Sequence, residues 1–283
     1  MKALYSCLTH DLRAGRSSLL CSVGLGFLMS LMVSVGFWTK ARLFGIDPLN
    51  LSLGDYLTNY LAGVIAQGLN LTGGGGKPFY LPATWMLTML LPCYATLWYP
   101  RKDLESEGAQ ILLRAGSRMA WWLAKCAWVA LAVSAYWVAG YACQCVFAQM
   151  SGATLNIGIT GSLSRLLALG EGSIDVWGQS VAPMMPTVVA VSVSLALAEH
   201  AADNWCSPAW GFCLVAALLF LSALLPESAL IGNFLMAVRS SSIVAGGASP
   251  VVGVCFSVAI TVVALLVGSV SFRQGDILVR GDR

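Results

Sequence analysis

Six apolar runs, separated by polar or glycine-rich connections, organise the chain. They fall at 17–38, 80–99, 121–147, 181–198, 207–225 and 250–271. A helix needs about 20 apolar residues to cross the hydrocarbon of a bilayer, and each run meets or approaches that length. The runs are continuous, without the strict alternation of a barrel strand. In lipid only a helix or a closed barrel satisfies its own backbone. The pattern therefore predicts an all-α polytopic bundle, a single transmembrane domain over residues 1–283 with six spans. Ahead of the first run, "LTHDLRAGR" belongs to an interfacial amphipathic helix expected over residues 1–16. The first run is too long for the apolar core of a signal peptide, and no A-x-A site follows it before Lys40, so it reads as an uncleaved span.

Composition agrees: 58% of residues are hydrophobic and 10% charged, where soluble domains carry about 25% charged. Six spans place both termini on one side. If that side is the cytoplasm, the inner segments hold Lys2, Arg13, Arg16, Arg101, Lys102, Arg114, Arg118, Lys125, Arg273, Arg280 and Arg283, and the outer ones Lys40, Arg42, Lys77, Arg165 and Arg239. Eleven cations against five fits the positive-inside rule. The long connections then lie outside. "LSLGDYLTNYLAGVIAQGLN" predicts a helix at the outer interface, "GSLSRLLALG" a short amphipathic one, and residues 226–248 a re-entrant pair of half-helices, tolerated only if packed on protein. Residues 272–283 form a cytoplasmic tail.

Charge collects in one place, "RKDLESEGAQILLRAGSRMAWWLAK", between the second and third runs. On a helix Glu107, Gln110, Arg114 and Arg118 share a polar face, and Gly108, Ile111, Leu112, Ala115, Met119 and Trp122 the apolar one. Gly116 and Ser117 predict a break with Ser117 capping the next helix. Trp121 and Trp122 sit at an aromatic belt, and Lys125 is expected to snorkel to the headgroups. An ordinary interfacial loop would hold topology and nothing more. Mixed signs, however, suit a protein partner, where complementary charge fixes register, better than anionic lipid alone.

With its basic amphipathic leader, its charged helix between spans two and three and its six-span layout, the chain resembles the membrane subunit of a type 2 ABC transporter. "QILLRAGSRMAWWLAK" is similar to the loop of bacterial two-component permeases associated with peptide-antibiotic export or self-protection. The resemblance implies a coupling helix over residues 101–118 that docks on a separate ATPase subunit through Arg101, Lys102, Asp103, Glu105, Glu107, Gln110, Arg114 and Arg118. It implies ATP and Mg in that partner with no cofactor in this chain. It also implies a second permease copy or a sister permease, a lipid surround in the bacterial plasma membrane, and no nucleic-acid partner. Spans four to six carry no further motif of the family.

The chain's own chemistry points the same way. "LTGGGGKPF" is not a nucleotide loop: Leu71 stands where the first glycine belongs, and Pro78 where Ser or Thr follows the lysine. No span carries a charge near its centre, where ion-driven carriers place their coupling residues. Glu199 and His200 read as a hydrated helix terminus rather than a proton relay, and the acidic loop 199–205 as a minor second ATPase contact. A route through the bundle would offer only Ser30, Ser34, Thr88, Tyr94, Ser134, Tyr136, Ser192 and Ser194, each commonly helix–helix glue. Such a lining suits a hydrophobic or amphipathic cargo. With His10 and His200 the sole histidines, no GxSxG and no HExxH, a membrane enzyme is not expected. Nine cysteines, without a CxxC, suggest neither disulfides nor zinc, and Cys143 and Cys145 are the sole close pair. The alternative is a membrane subunit that transports nothing: an immunity, sensor or anchoring component.

Overall fold

The computed structural model describes residues 2–64, 81–105, 110, 112, 117–167, 179–205, 207–227 and 229–274. These are helical, with three isolated β-bridges and no strand among them. In chain order the helices are α1 (Lys2–Ala14), α2 (Arg16–Leu43), α3 (Leu53–Tyr60), α4 (Ala83–Leu97), α5 (Tyr99–Leu104), α6 (Arg118–Met150), α7 (Ser162–Leu166), α8 (Met184–Ala202), α9 (Pro208–Leu224) and α10 (Pro250–Gln274). All six apolar runs of the sequence have become helices. Four of them, α2, α6, α8 and α10, are long and apolar enough to cross a membrane by length and composition. α9 is a shorter apolar helix, about 26 Å long at 1.5 Å per residue, and α4 is 15 residues long. Exposed valines and leucines along α10, from Val251 to Val270, form the apolar outer surface that lipid requires.

α2 and α6 pack side by side, and small residues let their backbones meet. Ser22 Oγ donates to the carbonyl of Ala132 at 2.8 Å and Ser30 Oγ to that of Gly140 at 2.7 Å. The constant offset along both chains means that the two helices run parallel. Between these two contacts lies Gly26, where a Cβ would sit 2.3 Å from the Tyr136 carbonyl oxygen. Any larger side chain would push the helices apart. Ser34 donates to Gln144 Oε1 at 2.9 Å, and Tyr136 Oη donates to the Thr88 carbonyl at 3.0 Å, adding α4. So Ser30, Ser34 and Tyr136 act as glue, Thr88 and Ser194 bond back to their own helices, Tyr94 is exposed against Phe212, and Ser192 Oγ is buried without a partner among the described residues. α8 packs on α10, α6 and α9, and completes the bundle.

The end where α2 and α6 begin is the near end, and the end where they finish is the far end. At the far end α3 is a buried helix of 8 residues, closed by a capping box between Ser52 and Asp55. It falls within the predicted interfacial helix of residues 51–70 but is shorter: it ends at Tyr60, and residues 61–64 are not helical, while 65–70 lie outside the described residues. α7 is the described part of "GSLSRLLALG". The predicted half-helices of 226–248 are corrected: the segment makes two short 3-10 turns, Ile231–Leu235 and Ala237–Arg239, almost wholly buried. Asn233 explains the difference. Its side-chain amide donates to the carbonyls of Leu225 and Glu227, which holds the chain in turns.

Candidate functional site

The near end gathers the charged groups. α1 is amphipathic, yet its packed face carries an acid: Cys7 and Asp11, one helical turn apart, are buried against α6. Lys125, on the second turn of α6, is fully buried and reaches Asp11. Its ammonium also lies 2.5 Å from Asp103 Oδ2 on α5 and over the rings of Tyr99 and Trp121. His10 Nε2 lies 2.9 Å from Asp103 Oδ1, and Tyr99 Oη donates to Asp11 Oδ1 at 3.1 Å. Three helices are thus joined through one cation. Burial holds the Asp11 carboxyl above its ordinary value, against the opposing pull of Lys125 and Tyr99. The reach predicted for Lys125 is corrected: it turns inward, because two carboxylates offer it more than a headgroup. His10, Asp11 and Asp103 have ligand atoms within 4.8 Å of one another. The Lys125 ammonium already stands against both carboxylates, so the charge a metal ion would supply is in place.

Of the eight residues expected to dock a partner, Lys102, Glu105, Gln110 and Arg118 are exposed and Arg101 is half-buried. Arg101 pairs with Glu105 at 3.1 Å and approaches Asp203 at 3.6 Å. Arg118 Nη1 donates to the carbonyl of Arg273 at 2.8 Å, which caps the end of α10. Glu107 and Arg114 lie outside the described residues. Asp103 is a correction: its buried carboxylate is taken up by Lys125 and His10, so it faces the bundle and cannot meet a partner. Ser117 caps α6 through Ala120 N–H, as its position predicts.

Glu199 and His200 also depart from expectation. Glu199 is buried and His200 half-buried, where an exposed helix terminus was expected. His200 stacks on Trp122 at 4.6 Å, and both residues border a water-sized cavity of about 10 Å³ with Thr96 and Asp203. Of the 199–205 loop, Trp205 is exposed and Ala202, Asp203 and Asn204 are half-buried. A wider apolar groove of about 520 Å³ runs between α8, α9 and α10, lined by Ala198, Leu218, Ile231, Phe256 and Val263.

What sequence reading missed is the cluster under α1. One signal was present: Asp11 shares a helix face with Leu4, Cys7 and Leu8, and an acid on an apolar face needs a buried partner. No family model, no curated protein and no solved structure matches this chain.

Proposed function

We propose that the chain is the membrane subunit of a type 2 ABC exporter, with six spans, both termini in the cytoplasm, and energy from a separate ATPase seated on residues 101–118. The cargo class is a hydrophobic or amphipathic molecule such as a peptide. The observation that carries this reading is the joint at the near end. α5 opens the charged stretch, and its Asp103 is tied to α6 through Lys125 and to α1 through His10. A push on the exposed residues Lys102, Glu105, Gln110 and Arg118 therefore acts on a membrane helix, not on a slack loop. The apolar groove between α8, α9 and α10 supports the cargo class, since its lining includes no charged residue.

Co-expression with neighbouring gene products, scored for a nucleotide-binding subunit, tests the assignment. Reversing charge in Arg114→Glu/Arg118→Glu is expected to cut ATPase co-purification about tenfold, equivalent to ~1.4 kcal/mol, with helical content intact. Binding that survives the double change, and survives Lys102→Glu as well, removes the docking role.

A further inference from the structure

The last turn of α8 buries a carboxyl group that nothing satisfies. Glu199 is 5% exposed, and neither of its carboxyl oxygens has a hydrogen-bond partner among the described residues. The Cys93 thiol on α4 bears on them, but a thiol is a weak donor. Nε2 of the adjacent His200 is likewise buried without a partner. Buried polar atoms left unbonded are costly, so three of them in two neighbouring residues call for a common partner. Both side chains border one cavity of about 10 Å³, which is the room a single water needs. Four helices enclose it: Thr96 comes from α4, Val129 from α6, Ala196 from α8 and Pro208 from α9. α9 comes close because of Gly211, where a Cβ would stand 3.2 Å from Glu199 Cγ. Thr96 Oγ1 donates to the carbonyls of Pro92 and Cys93, and its lone pairs can still accept. Asp203 also borders the cavity, and Arg101 approaches it at 3.6 Å. An apolar cavity of this size stays dry, whereas one offering several polar partners fills.

We propose that this cavity is a binding site for one water molecule, held by the Glu199 carboxyl, His200 Nε2 and Thr96 Oγ1. The water supplies the bonds that the protein itself does not, and so lets an acid sit inside an apolar helix long enough to cross a membrane. It also ties the end of α8 to the end of α4 through a bridge nearly as favourable as a direct hydrogen bond. The site concerns the chain alone, so its failure would leave the ATPase reading untouched.

The test uses the full-length chain in lipid nanodiscs and X-ray hydroxyl-radical footprinting read by mass spectrometry. Radicals formed from a bound water oxidise the side chains beside it, so a buried residue next to that water is labelled although bulk solvent does not reach it. The reporter is Cys93, 1% exposed, and the reference is Cys126 on α6, 5% exposed and of the same chemistry. Cys93 is expected to be oxidised more than Cys126. Glu199→Met keeps the bulk and removes the polar group, and the excess at Cys93 should be lost. His200→Phe, which can keep the stacking on Trp122 but has no Nε2, should lower it as well. Glu199→Gln retains a carbonyl oxygen and should keep the label. Cys93 oxidised no more than Cys126 in the unsubstituted chain overturns the proposal. So does an undiminished excess in Glu199→Met and His200→Phe, and either variant alone suffices if the other does not fold.

Discussion

Both ends of the bundle bury charge, by opposite means. At the far end a lone Asp55 and a lone Arg239 are each satisfied by neutral groups. Asp55 accepts from Ser52 N–H at 2.9 Å, Thr160 N–H at 2.8 Å and Thr160 Oγ1 at 2.7 Å. Arg239 donates to the carbonyls of Ser222 at 2.6 Å, Ala223 at 2.9 Å and Val64 at 2.8 Å, and to Asn233 Oδ1. Ser222 and Ala223 lie in the last turn of α9, so Arg239 meets the negative end of a helix dipole. At the near end, charge meets charge, on side chains from three helices. Backbone dipoles are fixed by the secondary structure that makes them. Side-chain partners can be exchanged. The far end is therefore held largely through backbone groups, and the near end through paired side chains.

The largest test of that contrast is Lys125→Met. It leaves two buried carboxylates facing one another and should cost about 3–5 kcal/mol, read as a lower midpoint in thermal unfolding of the detergent-solubilised chain. The contrast makes a second demand. Adding Asp11→Asn and Asp103→Asn to Lys125→Met should restore most of the loss, because the cluster's charges answer one another. If the triple variant is no more stable than the single one, the near-end charges are not the coupled unit described.

Arg239→Met comes next, at about 2–3 kcal/mol, for carbonyls left buried without their donor. No second neutralisation should rescue it, because Arg239 satisfies backbone carbonyls and a neutral amide oxygen, not a charge. The same unfolding measurement decides. Recovery through any side-chain neutralisation would show that the far end too depends on paired charge.

How much of this was readable beforehand differs between the two ends for a physical reason. Helices are written locally. The six apolar runs became helices with boundaries close to those expected, and Ser117 capped α6 where it should, since a cap involves neighbours in sequence. Asp103 and Lys125 were both noticed, but Asp103 was assigned to a docking partner and Lys125 to the headgroups, because their bond spans 22 residues and Lys125 to Asp11 spans 114. Periodicity says which face of a helix is apolar, and says nothing about which distant acid will meet it. The 226–248 segment failed for a related reason. Its apolar run has the composition of a half-helix, and the turns that replaced it are held by Asn233, which bonds back to Leu225 and Glu227, and by Arg239, whose carbonyl partners lie on other elements. Of the docking residues, exposure was anticipated for Lys102, Glu105, Gln110 and Arg118, while Asp103 was drawn inward by a partner the local pattern could not name.

The smallest expected effect sharpens the comparison most. Asp55 is wholly buried, and burial raises its pKa above the ordinary carboxylate value, against the hydrogen bonds from Thr160 and Ser52 that favour the charged form. Its contribution to stability is thus complete below the ordinary carboxylate value and is lost as pH rises through the raised one. At neutral pH the carboxylate is held by its donors at some cost in desolvation. Asp55→Asn keeps the shape and removes that cost, but its amide nitrogen cannot accept, so one of the donors from Ser52 or Thr160 loses its partner. The two terms oppose one another, and the net change at neutral pH should be about 1 kcal/mol or less. What the substitution must abolish is the slope: the unsubstituted far end gains stability on acidification and the Asn variant does not, as measured by thermal unfolding with His10, Asp11 and Asp103 intact. Because Asp11 at the near end is shifted in the same direction, the difference between the two proteins isolates Asp55. An Asn variant that keeps the whole slope would mean that the near end alone senses pH, and that the dipoles around Asp55 hold it charged at no cost.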